Sequence, residues 1–78
     1  MFRTLIKTDA IAVEDQTIPV RYFQWRTLLG NPRYSAEILL KPQDRVALDD
    51  DSMTSLETRV VRLLPFTIFS RMLASDIT

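Results

Sequence analysis

The chain has no cysteine and no histidine among its 78 residues, and it has a single glycine. Without cysteine there is no disulfide to staple a small core and no thiolate to act as nucleophile or metal ligand. Without histidine the commonest general base and the commonest transition-metal ligand are both missing. One glycine cannot supply a dinucleotide fingerprint or a phosphate-binding P-loop, each of which needs several. There is also no net charge, ten basic residues balancing ten acidic ones. No whole-molecule field therefore steers the protein to nucleic acid or to an anionic membrane. Long apolar runs are lacking too: Val60 to Phe69 is interrupted by Arg62 and Pro65, far short of the roughly 20 residues of a membrane span. Lys7 and Asp9 interrupt the N-terminal residues before an apolar segment of signal-peptide length forms. Together these features predict a cytoplasmic protein with no membrane partner, cofactor or small-molecule substrate.

What is present is an ordinary globular composition, 46% hydrophobic, with four prolines. This predicts a single small domain over 1–78, stabilised by packing or by packing plus association. Charge is unevenly spread. From Val20 to Arg45, five cations (Arg21, Arg26, Arg33, Lys41, Arg45) face two carboxylates (Glu37, Asp44), an excess of three. Asp49, Asp50, Asp51 and Glu57 then follow as four carboxylates. Eight of the ten basic residues are arginine, which favours forked pairing with carboxylates.

The pattern predicts an α+β fold: a three- to four-stranded antiparallel meander followed by a C-terminal amphipathic helix kinked or broken at Pro65. Residues 1–16 are strand-biased. Strands are expected at about 18–28, 34–40 and 45–48, where β-branched and aromatic residues cluster between turn residues. Pro19 places the start of the first of these at an edge or just outside its ladder. Setting Phe23 and Trp25 opposite Ile38 and Ala36 leaves a four-residue loop, Leu29 to Pro32. Setting Ile38 and Leu40 opposite Leu48 and Val46 completes a core face of Phe23, Trp25, Ala36, Ile38, Leu40, Val46 and Leu48. Tyr22, Gln24, Arg26, Ser35, Glu37, Leu39, Lys41 and Arg45 then face outward.

A helix is expected over about 52–64, with Ser52 as N-cap and Met53, Leu56, Val60, Val61, Leu63 and Leu64 on one arc. Pro65 disfavours helical geometry at Leu64 and removes a donor, so a second short helix is expected at about 66–73. Glu57 lies inside the apolar arc. It is assigned a structural role, either in a capping box with Thr54 or paired with Arg45 or Arg21 from the sheet. The aspartates Asp49 to Asp51 alternate across a strand and do not converge on a cation. Ahead of the helix they favour its dipole by about 0.3–1 kcal/mol each.

Strands running directly into D-S-x-x-x-L (Asp51, Ser52, Leu56) and a helix, over Tyr34 to Val61, make this stretch locally similar to HicB-type antitoxin domains. The glycine usual before the cap residues is absent, as is an appended DNA-binding segment, and the likeness transfers no functional residue.

No acid, base and nucleophile are brought together by spacing, so the chain is expected not to be an enzyme. Two contact functions remain. The first is protein interaction, most simply homodimerisation, through the apolar residues Phe66, Phe69, Met72 and Leu73, the alternative being that these residues fold back as a second helix on the same core. The second is RNA or single-stranded nucleic-acid binding through Tyr22, Arg26, Lys41 and Arg45 on the outer sheet face.

Overall fold

The structure is a computed structural model in which residues 2 to 76 are described. Four strands precede one helix: β1 (Thr4–Val13), β2 (Gln16–Arg26), β3 (Pro32–Lys41), β4 (Asp44–Asp50) and α1 (Met53–Asp76). The strands form an antiparallel meander in the order β1-β2-β3-β4, so β1 and β4 are the edges. The N-terminal residues expected only to favour strand thus supply a full ten-residue strand.

Strand alternation sends Ile18, Val20 and Tyr22 of β2, with Ala36 and Ile38 of β3, to one face. There they pack under Leu56, Val60 and Leu64 of α1 to make the core. The helix supplies these three at four-residue intervals, and Ile68 continues the same row as a half-buried neighbour. A 24-residue helix is about 36 Å long, which matches the length of the eleven-residue β2.

The register differs from the sequence expectation in an informative way. Val20 lies opposite Ile38, Tyr22 opposite Ala36 and Trp25 opposite Arg33. This is three residues from the expected pairing, and an odd slip reverses the whole of β2. Tyr22, expected outside, is 1% exposed in the core, while Phe23 and Trp25, expected in the core, lie on the opposite face. The observed register also places Arg21 directly across from Glu37, where the two form an ion pair. The β3–β4 ladder, with Ile38 opposite Val46 and Ala36 opposite Leu48, is two residues from expectation. An even slip keeps the faces, so these residues remain on the core side.

Pro19 behaves as its chemistry requires. It pairs with Ala10 in the β1–β2 ladder, but the β2–β3 ladder begins one residue later, at Val20. Pro19 thus lies just outside the β2–β3 ladder, a position that tolerates its missing N–H. The β1–β2 hairpin turns at Glu14, whose φ of 56° is left-handed, a conformation costly for a residue with a Cβ. The β2–β3 loop uses Gly30, φ 86°, and is closed by Thr27 N–H to Asn31 C=O and Gly30 N–H to Thr27 C=O, both 2.9 Å.

Pro65 lies inside α1, so the break and separate second helix expected there are not found. Proline at this point cannot donate to the Val61 carbonyl. Val61 and Pro65 are both exposed, so that carbonyl can turn to water. Beyond the proline the helix is held to the sheet by Ile68 against the core and by a forked ion pair from Arg71 to Asp44, at 2.8 and 3.3 Å. No helix among the described residues is long and apolar enough to cross a membrane.

Candidate functional site

The helix start is built from two side chains. Ser52 accepts from the Ser55 N–H at 3.3 Å, as an N-cap residue does. Asp50 does more: its carboxylate accepts from the Asp51 N–H at 2.7 Å, the Ser52 N–H at 3.2 Å, the Ser55 hydroxyl at 2.9 Å and Arg59 at 3.1 Å. The Ser55 hydroxyl and then Arg59 hold its carboxyl far below the usual aspartate range. Asp49 points to the other face, where it accepts from Ser35 at 2.6 Å. The acidic triplet thus divides across the strand rather than gathering. Thr54 is exposed and does not cap; its carbonyl accepts from the Thr58 hydroxyl.

Glu57 pairs with Lys7 of β1 at 3.2 Å, both side chains 42% exposed. Neither a capping box with Thr54 nor Arg45 or Arg21 holds it, because both arginines go to Glu37 instead. Lys7 and Glu57 stand at the rim of Tyr22, with the Lys7 ammonium 5.2 Å from the ring centre. Burial, then the charges of Glu57 and Asp9, push the Tyr22 hydroxyl up from 10.0.

The uncovered sheet face is organised around Glu37. Arg21, its direct cross-strand partner, donates at 2.6 Å, Arg3 donates at 3.0 Å, and Arg45 stands at 3.5 Å. The hydrogen bond from Arg3 lowers the Glu37 carboxyl below 4.5; burial opposes this, and the Arg21 charge adds to it. Arg3 also lies over the Phe23 ring, 3.9 Å from its centre. Beside this cluster the Trp25 indole N–H donates to Ser35 at 2.7 Å, and Ser35 in turn donates to Asp49. Trp25, Arg3, Ser35 and Asp49 line a cleft of 220 Å³.

The four residues expected to form a nucleic-acid face are not brought together. Tyr22 is buried beneath α1. Arg26, at the end of β2, donates to the Gly30 carbonyl. Lys41 lies beyond an irregularity in the β3–β4 ladder, and only Arg45 stands on the open face. Sequence reasoning missed Arg3, Phe23, Trp25 and Arg33 as residues of this face. The readable signal was Arg21 and Glu37, whose pairing across two strands fixes the register.

Phe66, Phe69, Met72 and Leu73 are 71, 60, 53 and 48% exposed. Phe66, Phe69 and Leu73 lie on the C-terminal half of α1, on the side away from the Leu56–Val60–Leu64 row, whereas Met72 follows Ile68 in that row and lines a cavity with Leu40 and Ile68. Val61, 58% exposed, extends the stripe towards the middle of the helix. Compared with protein families, with curated proteins and with solved structures, the chain matches none.

Proposed function

We propose that this chain is a small interaction domain that acts by surface contact rather than catalysis, and that it associates with itself through the outward stripe of α1. The observation that carries the reading is the exposure of Phe66, Phe69 and Leu73 together on a helix whose inward row already fills the core. Intramolecular packing has no further use for them, and clustered apolar side chains of this kind mark interfaces. The spacing suits a helix pair: Phe66, Phe69 and Leu73 follow the three-four repeat of a packing seam. The non-catalytic part rests on the carboxylates. Asp44, Asp50 and Glu37 are each engaged by arginine and held in the charged form, the opposite of the raised pKa a general acid needs.

Sedimentation equilibrium between micromolar and millimolar concentrations tests this, comparing the parent with Phe69→Ala. A central interface aromatic is worth about 2 kcal/mol or more on truncation. The change enters a symmetric interface twice, so dissociation should weaken by about 4 kcal/mol, roughly a thousandfold. Phe69 is exposed, so the far-UV signal and melting of the monomer should be unchanged. A parent that remains monomeric at millimolar concentration refutes the reading.

A further inference from the structure

The sheet face opposite α1 has its own charge balance. By strand alternation and contact it carries Arg3, Arg21, Arg33 and Arg45 against Glu37 and Asp49, four cations and two anions. Both carboxylates are already engaged. Glu37 Oε1 faces Arg21 and Arg45, its Oε2 faces Arg3, and Asp49 Oδ1 holds Ser35. Each guanidinium has five N–H donors in a planar fork, and Glu37 takes only a small part of them. Arg3, Arg21 and Arg45 remain 50, 37 and 57% exposed, and Arg33 has no ion pair among the described residues.

An excess of two positive charges disfavours pairing this face with the same face of a second copy. It favours an anionic occupant with a repeating charge. The second requirement is set by Trp25. Its indole N–H is anchored through Ser35 to Asp49, which fixes the ring plane. The 220 Å³ cleft beside it, lined also by Arg3, Ser35 and Asp49, is open to solvent, so a ligand reaches the indole from the surface. Anchored aromatics among arginines are the means by which sheets hold unpaired bases, the ring stacking a base and the guanidiniums taking phosphates.

We propose that this face binds single-stranded nucleic acid, with a base stacked on Trp25 and phosphates on Arg33, Arg45 and the outer edge of the Arg3–Arg21 pair. The site lies across the sheet from the α1 stripe, so it stands or falls independently of self-association.

Trp25 is the one tryptophan and reports directly. Ten-residue oligouridine and oligothymidine are titrated against the whole chain while indole fluorescence is followed, first at about 50 mM salt. Binding should quench Trp25. With about three phosphates neutralised the salt slope is about −2, so affinity should fall about twentyfold between 50 and 200 mM salt. The Arg33→Ala/Arg45→Ala double variant, which gives up no direct hydrogen bond of the fold, should bind roughly tenfold more weakly. Its slope should be shallower by about 1.4. With a labelled oligonucleotide, Trp25→Leu should also lose roughly tenfold. Melting curves confirm that each variant is folded. The proposal is overturned by any of three results: no quenching at 50 mM salt, unchanged binding by the folded double variant, or equal quenching by a polyglutamate peptide. The last would make the face a general acidic-peptide surface.

Discussion

Replacing Glu37 by glutamine changes one atom type at the centre of the open sheet face. Three guanidiniums stand 2.6, 3.0 and 3.5 Å from the carboxylate. The glutamate side chain is only 12% exposed, but its partners are 37, 50 and 57% exposed. Water therefore screens the pairs from the arginine side, and each is worth what an exposed pair is worth, about 0.2–1 kcal/mol. The short Arg21 contact belongs at the top of that range and Arg45 at the bottom. Glutamine keeps one carbonyl acceptor but turns an NH₂ towards a guanidinium, leaving three positive groups unbalanced. The expected loss is about 1.5 kcal/mol, which lowers the melting temperature of a domain this size by roughly 6–12 °C.

Circular dichroism melts at several salt concentrations and pH values carry the test. At 1 M salt the screening length is about 3 Å, so the gap between parent and variant should shrink. The pH dependence has a definite sign. Folded Glu37 has a carboxyl pKa below 4.5, so the unfolded chain takes up this proton first. Its stabilisation is complete above 4.5 and disappears as pH falls through the lower folded value. The two melting curves should converge in acid. A change of less than about 2 °C at neutral pH and low salt, or a gap of the same size in acid as at neutrality, would refute the reasoning.

At the helix start, Ser52→Ala should cost about 0.5–1 kcal/mol because its capping bond is long. Asp50→Asn should cost more, since it weakens bonds to two backbone N–H groups, a hydroxyl and an arginine. Asp50→Asn should also flatten the loss of stability below pH 3.8, the ordinary aspartate value; urea midpoints against pH give both results, and a costlier Ser52→Ala would contradict the assignment. Glu14→Asn should raise stability by about 0.5–1 kcal/mol by easing the left-handed turn, and a lower urea midpoint would count against it. Pro65→Ala should restore a helical N–H, partly offset by the greater freedom of the unfolded chain, for a net gain of about 2 kcal/mol. A fall in helical signal or urea midpoint for that variant would show that the proline is required.

Legibility in the sequence follows the strength of local chemistry. Ser52 marks the helix start because few residues accept a first-turn N–H so well, and Leu56, Val60 and Leu64 fall on the predicted arc. The antiparallel meander is an equally local consequence, whereas the spacing of Phe66 and Phe69 fits a core or an interface alike, and only the assembled sheet shows that Leu56, Val60 and Leu64 fill the core without them. The β2 register is not. Val20 and Tyr22 are apolar at one parity and Phe23 and Trp25 at the other, so alternation alone supports either face. The decision lies in partners distant in sequence: Glu37 receives Arg21, and Ser35 with Asp49 satisfies the Trp25 N–H. Each of these contacts appears only after strands are paired. Pro65 was misread for a related reason. The local rule ends a helix there, but Ile68 against the core and Arg71 on Asp44 reward its continuation.

The same register gives Glu37 two opposing effects. By drawing Arg3, Arg21 and Arg45 together it stabilises the sheet, and it also withholds their inner donors from anything outside. A carboxylate serving stability alone leaves nothing to recover when it is replaced. A carboxylate restraining a phosphate-binding face leaves three guanidiniums newly available. In low salt, Glu37→Gln should then lower the melting temperature and tighten oligonucleotide binding, with a steeper salt slope by about 0.7 for each phosphate gained. Opposite signs from one isosteric change would mark the cluster as a binding surface held in check. Lost stability with unchanged affinity would mark it as an ion-pair network of the fold.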